Sequence, residues 1–508
     1  MEEDIQLRSW HGVVPDWLQR QALTRGVTVA IENASTRWTY AELLDKARKV
    51  AVGLKAAGIH PGDRVALLAR RGSVFALAVH ALIQGQMVLV PSNTRLTPAE
   101  LAWQWQDAGV GAVLYDNQHA TVVQDVMQAA GLSVWHWNLE ESFPPVLDGQ
   151  LRTSLSNSIS LREIHAVVYT SGTTGRPKGT LITYGNHLAG AMASAQRLGL
   201  NLLDRWLVPM PLFHVGGLAV LMRSLIYGTT AVIHDEFDPV RVNEEIDKGH
   251  VDLLSVVPTM LLRMLDAHGE QPYQGCLRTV LLGGSAAPSH LVQRCLKVGL
   301  PVAQSYGLTE ANSQVATLAP EDALKRPGCS GQPLLFTELA ILQDGRVAEP
   351  GQEGEIVVRG PTVTPGYYGQ PVATAETLQD GWLHTGDMGL VDSDGYLYVL
   401  DRRRDLIVSG GENIYPAEVE RVLTAHPAVQ DAAVVGVAHA QWGQVPVAFV
   451  VVAARDASQM QIRANELQDF CRTRLAAYKI PQKIYFVDAL PRNVSGKLMR
   501  KEVQRWLQ

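Results

Sequence analysis

Short apolar runs alternate with amphipathic segments of helical length over much of the chain. Residues 40–57 form one such amphipathic segment, and Thr39 before it is a residue type that caps helices well. The apolar runs have the length of buried strands, and they are 65–69, 87–90, 112–115, 166–169, 230–234, 253–257 and 280–282. This alternation predicts an α/β fold of layered helices and largely parallel strands.

The pattern changes after about Pro327, where the apolar runs become shorter and alternate with polar residues, as at 354–358 and 395–399. Glycine and proline separate these runs, which is typical of a smaller β-rich subdomain. The next segment carries three arginines and then a helix over 416–425 that begins at Pro416. We therefore predict an N-terminal domain over 1–400 and a C-terminal domain over 401–508.

The composition is that of an ordinary globular protein, with 508 residues, 46% apolar and 19% charged. A chain of this length exceeds one hydrophobic core, and its apolar content argues against disorder. The acidic start lacks the positive region of a signal peptide, and polar residues interrupt the most apolar stretch, 74–90. The four cysteines show no CxxC spacing. We expect a cytoplasmic protein with reduced thiols and no membrane span. No basic run is interleaved with aromatic residues, so nucleic acid is not an expected partner.

Residues 169–180 combine glycines, hydroxyl side chains and a lysine directly after an apolar run. Glycine lets backbone N–H groups approach an oxyanion, while hydroxyls and a lysine add further donors, so this loop is suited to phosphate. It is not a Walker A loop, because Gly179 rather than Ser or Thr follows Lys178. The alternative is a mobile surface loop, which Gly/Thr-rich segments commonly form.

Further motifs follow in a fixed order, at 304–310, 381–387, 401–405, 410–416 and 491–497. Together with the 169–180 loop they resemble the motifs of the adenylate-forming superfamily, which includes acyl- and aryl-CoA synthetases, peptide-synthetase adenylation domains and beetle luciferases. The resemblance covers nearly the whole chain. It implies a large N-terminal domain of stacked sheets and helices, and a small mobile α+β C-terminal domain that rotates about a hinge at Asp401. It also implies ATP, Mg²⁺ and CoA as cosubstrates and cofactor.

The resemblance assigns roles to individual residues. Glu310 is expected to hold Mg²⁺, as a hard carboxylate oxygen can, and Thr309 to contact the α-phosphate. Asp387 is expected to bind the ribose hydroxyls, and Lys497 to be the catalytic lysine that bridges the attacking carboxylate and the α-phosphate. The remaining nucleotide and CoA residues that the resemblance implies are Thr170, Ser171, Gly172, Thr173, Thr174, Lys178, Tyr306 (adenine stacking), Arg402 (ribose or phosphates), Gly410 and Gly411 (pantetheine tunnel). Gly284, Ser285 and Ala286 follow the apolar run 280–282 and are small enough to admit a flat purine, with an ordinary tight turn as the alternative.

The acid is predicted from a narrower resemblance, to the bacterial o-succinylbenzoate-CoA ligases of menaquinone biosynthesis. The segments 204–214, 223–228, 255–260 and 304–307 carry it. It implies an aromatic keto-diacid substrate, with His214 beside the acyl carbonyl and Arg223 near the second carboxylate. Gly283 and Ser305 complete the predicted acid pocket. Gly216 departs from the serine common at that position in this family, which affects one expected hydroxyl contact.

Three other functions stay open at this point. One is the same chemistry on a benzoate, a cinnamate or a medium-chain fatty acid. Another is a non-catalytic relative that binds nucleotide, against which Lys497, Glu310 and Asp387 argue together. The third is a stand-alone adenylation domain that feeds a carrier protein. The sequence leaves room for a homo-oligomer.

Overall fold

The computed structural model describes residues 12–141, 155–170, 177–275, 277–284, 287, 289–323, 325–401, 406–452, 464–491 and 498–507. The chain divides into two compact units. The first comprises Met1–Thr94, Trp105–Val168 and Gly179–Asp401, and the second comprises Arg95–Gln104, Tyr169–Lys178 and Arg402–Gln508. The predicted domain boundary at 400/401 and the hinge at Asp401 stay predictions.

The helices have mostly one buried face, as amphipathic sequences do. In chain order they are α1 Trp17–Arg25, α2 Tyr40–Ala56, α3 Ser73–Gly85, α4 Pro98–Asp107, α5 Ala120–Ala130, α6 Tyr184–Leu198, α7 Val215–Tyr227, α8 Pro239–Asp247, α9 Pro258–His268, α10 Ser289–Lys297, α11 Pro371–Thr377, α12 Pro416–Thr424, α13 Ala464–Arg472 and α14 Arg500–Arg505.

The strands are mostly short and buried. In chain order they are β1 Val13–Pro15, β2 Val29–Glu32, β3 Arg37–Thr39, β4 Arg64–Leu68, β5 Val88–Pro91, β6 Ala112–Tyr115, β7 Trp135–Asn138, β8 Ser158–Ser160, β9 Ile164–Thr170, β10 Lys178–Thr183, β11 Arg205–Val208, β12 Thr230–Ile233, β13 Leu253–Val256, β14 Thr279–Leu282, β15 Val302–Leu308, β16 Ser313–Thr317, β17 Gln332–Pro333, β18 Glu338–Gln343, β19 Arg346–Val347, β20 Gly354–Arg359, β21 Leu378–Gln379, β22 Trp382–Val391, β23 Leu397–Asp401, β24 Ile407–Ser409, β25 Glu412–Ile414, β26 Val429–His439, β27 Gly443–Val452 and β28 Lys483–Phe486.

Two sheets give the first unit its layered α/β core. One has the order β10-β9-β5-β4-β6-β7, and the other has the order β17-β16-β15-β14-β13-β11-β12-β2-β3. In the second sheet the six strands β15, β14, β13, β11, β12 and β2 run parallel to one another. The outer strands β16 and β3 are antiparallel to β15 and β2. A large buried cluster of Leu, Ile, Val, Phe and Ala side chains fills the space around these sheets. The predicted α/β fold class is confirmed.

A third, antiparallel sheet of the first unit has the order β19-β18-β20-β22-β21, with β23 paired to β22. It is the β-rich subdomain that the shorter alternating runs predicted. Its own apolar cluster includes Ile356, Val358 and Leu383.

The second unit contains a separate sheet in the order β25-β24-β27-β26, with β28 parallel to β27. Helices α12 and α13 contribute Val419, Leu423 and Leu467 to the apolar core of this sheet. The combination is an α+β module, as predicted. Within the described ranges, no helix is long and apolar enough to cross a membrane.

Candidate active site

Parallel pairing brings several predicted site segments to one edge of the second large sheet. The register pairs Val256 with Leu282 on β13 and β14, and Leu282 with Gln304 on β14 and β15. Because the carboxyl ends of parallel strands lie at the same edge, Gly283 after β14 and Ser305 on β15 are neighbours there. Ligands of open α/β sheets bind outside this kind of edge.

Glu310 lies just beyond β15, in the short 3-10 turn Thr309–Ala311. Glu310 is 4% exposed, and its Oε1 accepts a hydrogen bond from the hydroxyl of Tyr367 at 3.0 Å. Its backbone carbonyl accepts from the N–H of Thr364 at 2.8 Å. Thr309 is half-buried beside it. Both the main chain and the carboxylate of Glu310 are therefore held by the segment that contains Thr364 and Tyr367.

A magnesium ion at Glu310 would need ligands beyond protein side chains. Within the described part of the chain, no group of three or more His, Cys, Asp or Glu residues could hold a metal ion. Mg²⁺ is commonly bound by one or two carboxylates together with phosphate oxygens and water. Glu310 offers one buried, hydrogen-bonded carboxylate, which fits that kind of site. Its role as a magnesium ligand stays a prediction.

Asp387 lies on β22 and is 7% exposed. Its Oδ2 accepts a hydrogen bond from the hydroxyl of Tyr306 at 2.7 Å, and its N–H donates to Thr385 Oγ1 at 3.1 Å. Thr385 in turn donates to the carbonyl of Ile356 at 2.6 Å on the neighbouring strand. A carboxylate fixed in this way can accept hydrogen bonds from a diol. The ribose role of Asp387 stays a prediction.

Tyr306 takes part in a contact that the sequence did not predict. Its ring is 2% exposed and packs in the apolar cluster of the β-rich subdomain, while its hydroxyl donates to Asp387. The predicted stacking of Tyr306 on adenine stays a prediction. What the structure adds is that Tyr306 fixes the carboxylate of Asp387.

The glycine turn after β14 has the conformation that glycine allows. Gly284 has φ of 86°, and a Cβ atom there would lie 2.9 Å from Val257 Cγ1. Gly283 donates its N–H to the carbonyl of Val256 at 3.2 Å. The hydroxyl of Ser305 is 3.1 Å from the carbonyl of Ala316, within the sheet. Ser285 and Ala286 lie outside the described residues.

His214 immediately precedes α7 and is half-buried, with its ring 4.7 Å from the ring of Phe213. It follows β11, whose carboxyl end lies at the same sheet edge as those of β13 and β14. The structure therefore places His214 in a segment that leaves this edge. Its role as a gate beside the acyl carbonyl stays a prediction.

Arg223 lies on α7 and is 2% exposed. Its guanidinium is 5.8 Å from the ring of Trp206, and Nη1 has no hydrogen-bond partner among the described residues. Burial lowers the pKa of Arg223, although arginine stays protonated in proteins. A buried cation of this kind favours an anionic partner.

One polar neighbour of Arg223 is the buried His187, which itself contacts a second histidine, His165. Burial, with smaller contributions from His165 and Arg223, lowers the pKa of His187 well below its usual value. Its Nε2 lies 2.9 Å from Nδ1 of His165, whose own pKa burial lowers to about 3. These two imidazoles bring no negative charge to Arg223. Isolated histidines carry no motif, so the sequence does not predict this contact.

The described ends of the predicted phosphate loop are Thr170, at the end of β9, and Lys178, at the start of β10. The hydroxyl of Thr170 donates to the carbonyl of Lys178 at 3.5 Å. The predicted donors between them, Ser171, Gly172, Thr173 and Thr174, lie outside the described residues.

In the second unit, Gly410 and Gly411 form the turn between β24 and β25. Gly410 has φ of 58°, and its N–H donates to the carbonyl of Trp442 at 2.8 Å. A Cβ atom on Gly410 would lie 2.9 Å from the Trp442 indole, so this position requires glycine. Arg402 and Lys497 lie outside the described residues, and their roles stay predictions.

Comparison with known proteins gives the same family for both parts of the chain. The AMP-binding enzyme family matches residues 18–368, and the AMP-binding enzyme C-terminal domain matches residues 418–497. A 2-succinylbenzoate–CoA ligase of Geobacillus kaustophilus strain HTA426 is 46% identical over 496 residues, which is 97% of this chain and 98% of the relative.

Solved structures of o-succinylbenzoate CoA synthetase from Bacillus subtilis are also similar. A double mutant bound to the product analogue OSB-NCoA has a TM-score of 0.89 and 38% identity, over 97% of this chain and 99% of the other. A complex with ATP and magnesium ion has a TM-score of 0.71 and 39% identity, over 97% of this chain and 100% of the other.

Proposed function

Because the chain belongs to the AMP-binding enzyme family, we propose that it is an acid–thiol ligase that converts 2-succinylbenzoate, ATP and CoA into 2-succinylbenzoyl-CoA, AMP and pyrophosphate. This is a step of menaquinone biosynthesis. The observation that carries the proposal is the 46% identity to a 2-succinylbenzoate–CoA ligase over nearly the full length of both chains. The buried carboxylates Glu310 and Asp387, each hydrogen-bonded by a tyrosine, also support it.

The reaction has two steps. In the first, an oxygen of the substrate's succinyl carboxylate attacks the α-phosphorus of ATP, the bond from that phosphorus to the bridging oxygen breaks, and pyrophosphate leaves. In the second, the CoA sulfur attacks the acyl carbonyl of the adenylate, the thiol proton is lost, and AMP leaves. Both steps bring anions together, so positive charge and backbone donors rather than a protein nucleophile are the expected catalytic devices.

The chain's own residues then have the following roles. Asp387, oriented by Tyr306, accepts hydrogen bonds from the ribose hydroxyls. Glu310, oriented by Tyr367, would hold Mg²⁺ through its carboxylate. When bound, Mg²⁺ supplies positive charge that offsets the charge of the triphosphate. Lys497 brings a cation to the attacking carboxylate in the first step.

Arg223 accounts for the choice of a diacid. Its buried guanidinium has a donor nitrogen, Nη1, without a partner among the described residues. The benzoate carboxylate of 2-succinylbenzoate, which does not react, would pair with it. A monoacid leaves that charge without a counter-ion, and an unpaired buried charge is unfavourable. We therefore expect selectivity for the diacid.

The test is an acid panel assayed with ATP, Mg²⁺ and CoA. Pyrophosphate release and thioester formation are measured for 2-succinylbenzoate, benzoate, cinnamate and octanoate. We expect 2-succinylbenzoate to have a kcat/KM at least about a hundredfold above the monoacids, because a site that pairs a substrate group rejects analogues that lack it. Activity on a monoacid but not on 2-succinylbenzoate would reject the proposed substrate. Adenylation without transfer to free CoA would point to a carrier-protein acceptor.

The proposed compartment is the cytoplasm, where CoA and ATP are both available. The described cysteines Cys295, Cys329 and Cys471 are free thiols, as is usual in a reducing compartment. Cys276 lies outside the described residues. Labelling of these buried thiols in denaturant, in freshly lysed cells, should give the same extent of reaction with and without prior reduction, and a clear increase after reduction would contradict this compartment.

A further inference from the structure

The hydroxyl of Tyr367 donates a hydrogen bond to Glu310 Oε1 at 3.0 Å. The two residues are 6% and 4% exposed, so little water competes for this contact. They are 57 positions apart in the chain. A hydrogen bond from a neutral donor to a buried carboxylate restricts rotation of the carboxylate group and leaves its negative charge in place.

The backbone around Tyr367 is fixed on β10. Tyr367 pairs with Thr180 in an antiparallel bridge, the N–H of Leu181 donates to the carbonyl of Gly366 at 3.0 Å, and the N–H of Tyr368 donates to the carbonyl of Gly179 at 2.8 Å. The Tyr367 N–H donates to Thr374 Oγ1 at 3.0 Å. The phenol therefore projects from a segment held on both sides.

The same segment also holds the main chain at Glu310. The Thr364 N–H donates to the Glu310 carbonyl at 2.8 Å, and the Thr364 hydroxyl donates to the carbonyl of Leu181 at 2.6 Å. One short segment thus connects the turn that carries Glu310 to β10. In sequence, β10 is the strand that directly follows the predicted phosphate loop.

We propose that Tyr367 is a positioning residue for the metal-binding carboxylate of Glu310. Its hydroxyl sets the orientation in which Glu310 meets a divalent cation. Its backbone, which is hydrogen-bonded to β10, fixes that orientation relative to the strand that follows the phosphate loop in sequence. Partners that orient a ligating carboxylate affect metal affinity although they do not touch the metal. This inference rests on the proposed role of Glu310 within the proposed function.

The test compares Tyr367→Phe, which removes one oxygen atom, with the wild-type protein. Mn²⁺ is the probe, and its binding is followed by electron paramagnetic resonance with a non-hydrolysable ATP analogue. We expect Mn²⁺ affinity to fall about tenfold in Tyr367→Phe, the low end of the range for such orienting partners. Binding of the analogue in EDTA should stay unchanged. In steady-state assays the Mg²⁺ concentration for half-maximal rate should rise by a similar factor, with kcat largely recovered at saturating Mg²⁺.

Tyr273→Phe is the matched control, because its hydroxyl donates to Asn243 Oδ1 at 2.8 Å and takes no part in the site. It should bind Mn²⁺ like the wild type. In a Glu310→Gln background, which should itself weaken Mn²⁺ binding, Tyr367→Phe should have little further effect, since the carboxylate it orients is gone.

An Mn²⁺ affinity of Tyr367→Phe within about twofold of the wild type would overturn the inference. An equal loss in the wild-type and Glu310→Gln backgrounds would overturn it too, because Tyr367 would then act independently of Glu310. If Glu310→Gln binds Mn²⁺ as the wild type does, the metal role of Glu310 fails. If no acid is activated while the Mn²⁺ results hold, the proposed function fails and the positioning role stands.

Discussion

Replacing Arg223 by methionine should move stability and activity in different directions. Met fills similar space without charge, and replacing a buried charge by an apolar side chain of similar volume is often neutral or stabilising by about 1–4 kcal/mol. Against this, the substitution removes the cation–π contact with Trp206 at 5.8 Å, worth about 0.5–2 kcal/mol. Since Nη1 has no partner among the described residues, the desolvation term should dominate. We expect the free energy of unfolding to stay the same or rise by up to about 3 kcal/mol.

Activity on the diacid should fall at the same time. A hydrogen bond between charged groups contributes about 1.5–3 kcal/mol, so the KM for 2-succinylbenzoate should rise roughly tenfold to a hundredfold. Arg223→Lys keeps the charge but loses the planar fork, so its KM for 2-succinylbenzoate should lie between those of the wild type and Arg223→Met. Steady-state pyrophosphate release and urea denaturation measure the two effects. An unchanged KM would remove Arg223 from the acid pocket, and a stability loss above about 2 kcal/mol would show that it acts as a structural residue.

Three further outcomes are expected. Lys497→Ala should suppress pyrophosphate release far more than thioester formation from synthetic acyl-adenylate, and equal losses would contradict its proposed role. Lys479→Met leaves the buried Glu418 carboxylate, 2.8 Å from Lys479 Nζ, without its cation. It should lower the free energy of unfolding by about 3–5 kcal/mol in urea denaturation, whereas a loss below about 1 kcal/mol would mean that water reaches the pair. Burial lowers the pKa of His80 and His165 to about 4 and about 3, so the unfolded chain binds more protons below pH 6.5. Stability should therefore fall by about 1.4 kcal/mol per pH unit per histidine between pH 6 and 4. His80→Gln should make the free energy of unfolding depend less steeply on pH. An unchanged dependence would contradict the lowered pKa of His80.

Local sequence rules predicted the elements whose signals are local. Thr39 caps α2 with a full capping box, in which the Glu42 carboxylate accepts a hydrogen bond from the Thr39 N–H. The helix begins at Tyr40, as predicted. The apolar run at 230–234 became β12, Thr230–Ile233. Such signals depend on neighbours along the chain, so the sequence contains them in full.

Other strands were not predicted, because their sequences do not form a recognisable apolar run. The segment Val302–Leu308 is β15, although its polar and glycine residues do not look like a buried strand. Arg205–Val208 is β11 and is only four residues long. A short, largely buried strand such as β11 shows no clear alternation of its own, so its sequence alone does not identify it.

The motifs identified Glu310 and Asp387 as candidate carboxylates, but not what holds them. Their tyrosine partners are 57 and 81 positions away in the chain. No local pattern links residues at such separations, since the pairing depends on which distant segments the fold brings together. The same holds for the His165–His187 contact, which joins β9 to α6.

The choice of tyrosine in both pairs has a physical reason. A lysine or arginine partner would hold Glu310 or Asp387 firmly, but it would also offset the negative charge that a divalent cation or a diol must meet. A phenol hydroxyl donates one directional hydrogen bond and stays neutral at physiological pH. Tyr306 and Tyr367 therefore fix the orientation of the two carboxylates without neutralising them. Each phenol thus orients a carboxylate and adds no positive charge of its own, which suits ligands that arrive with their own positive charge or their own hydroxyl donors.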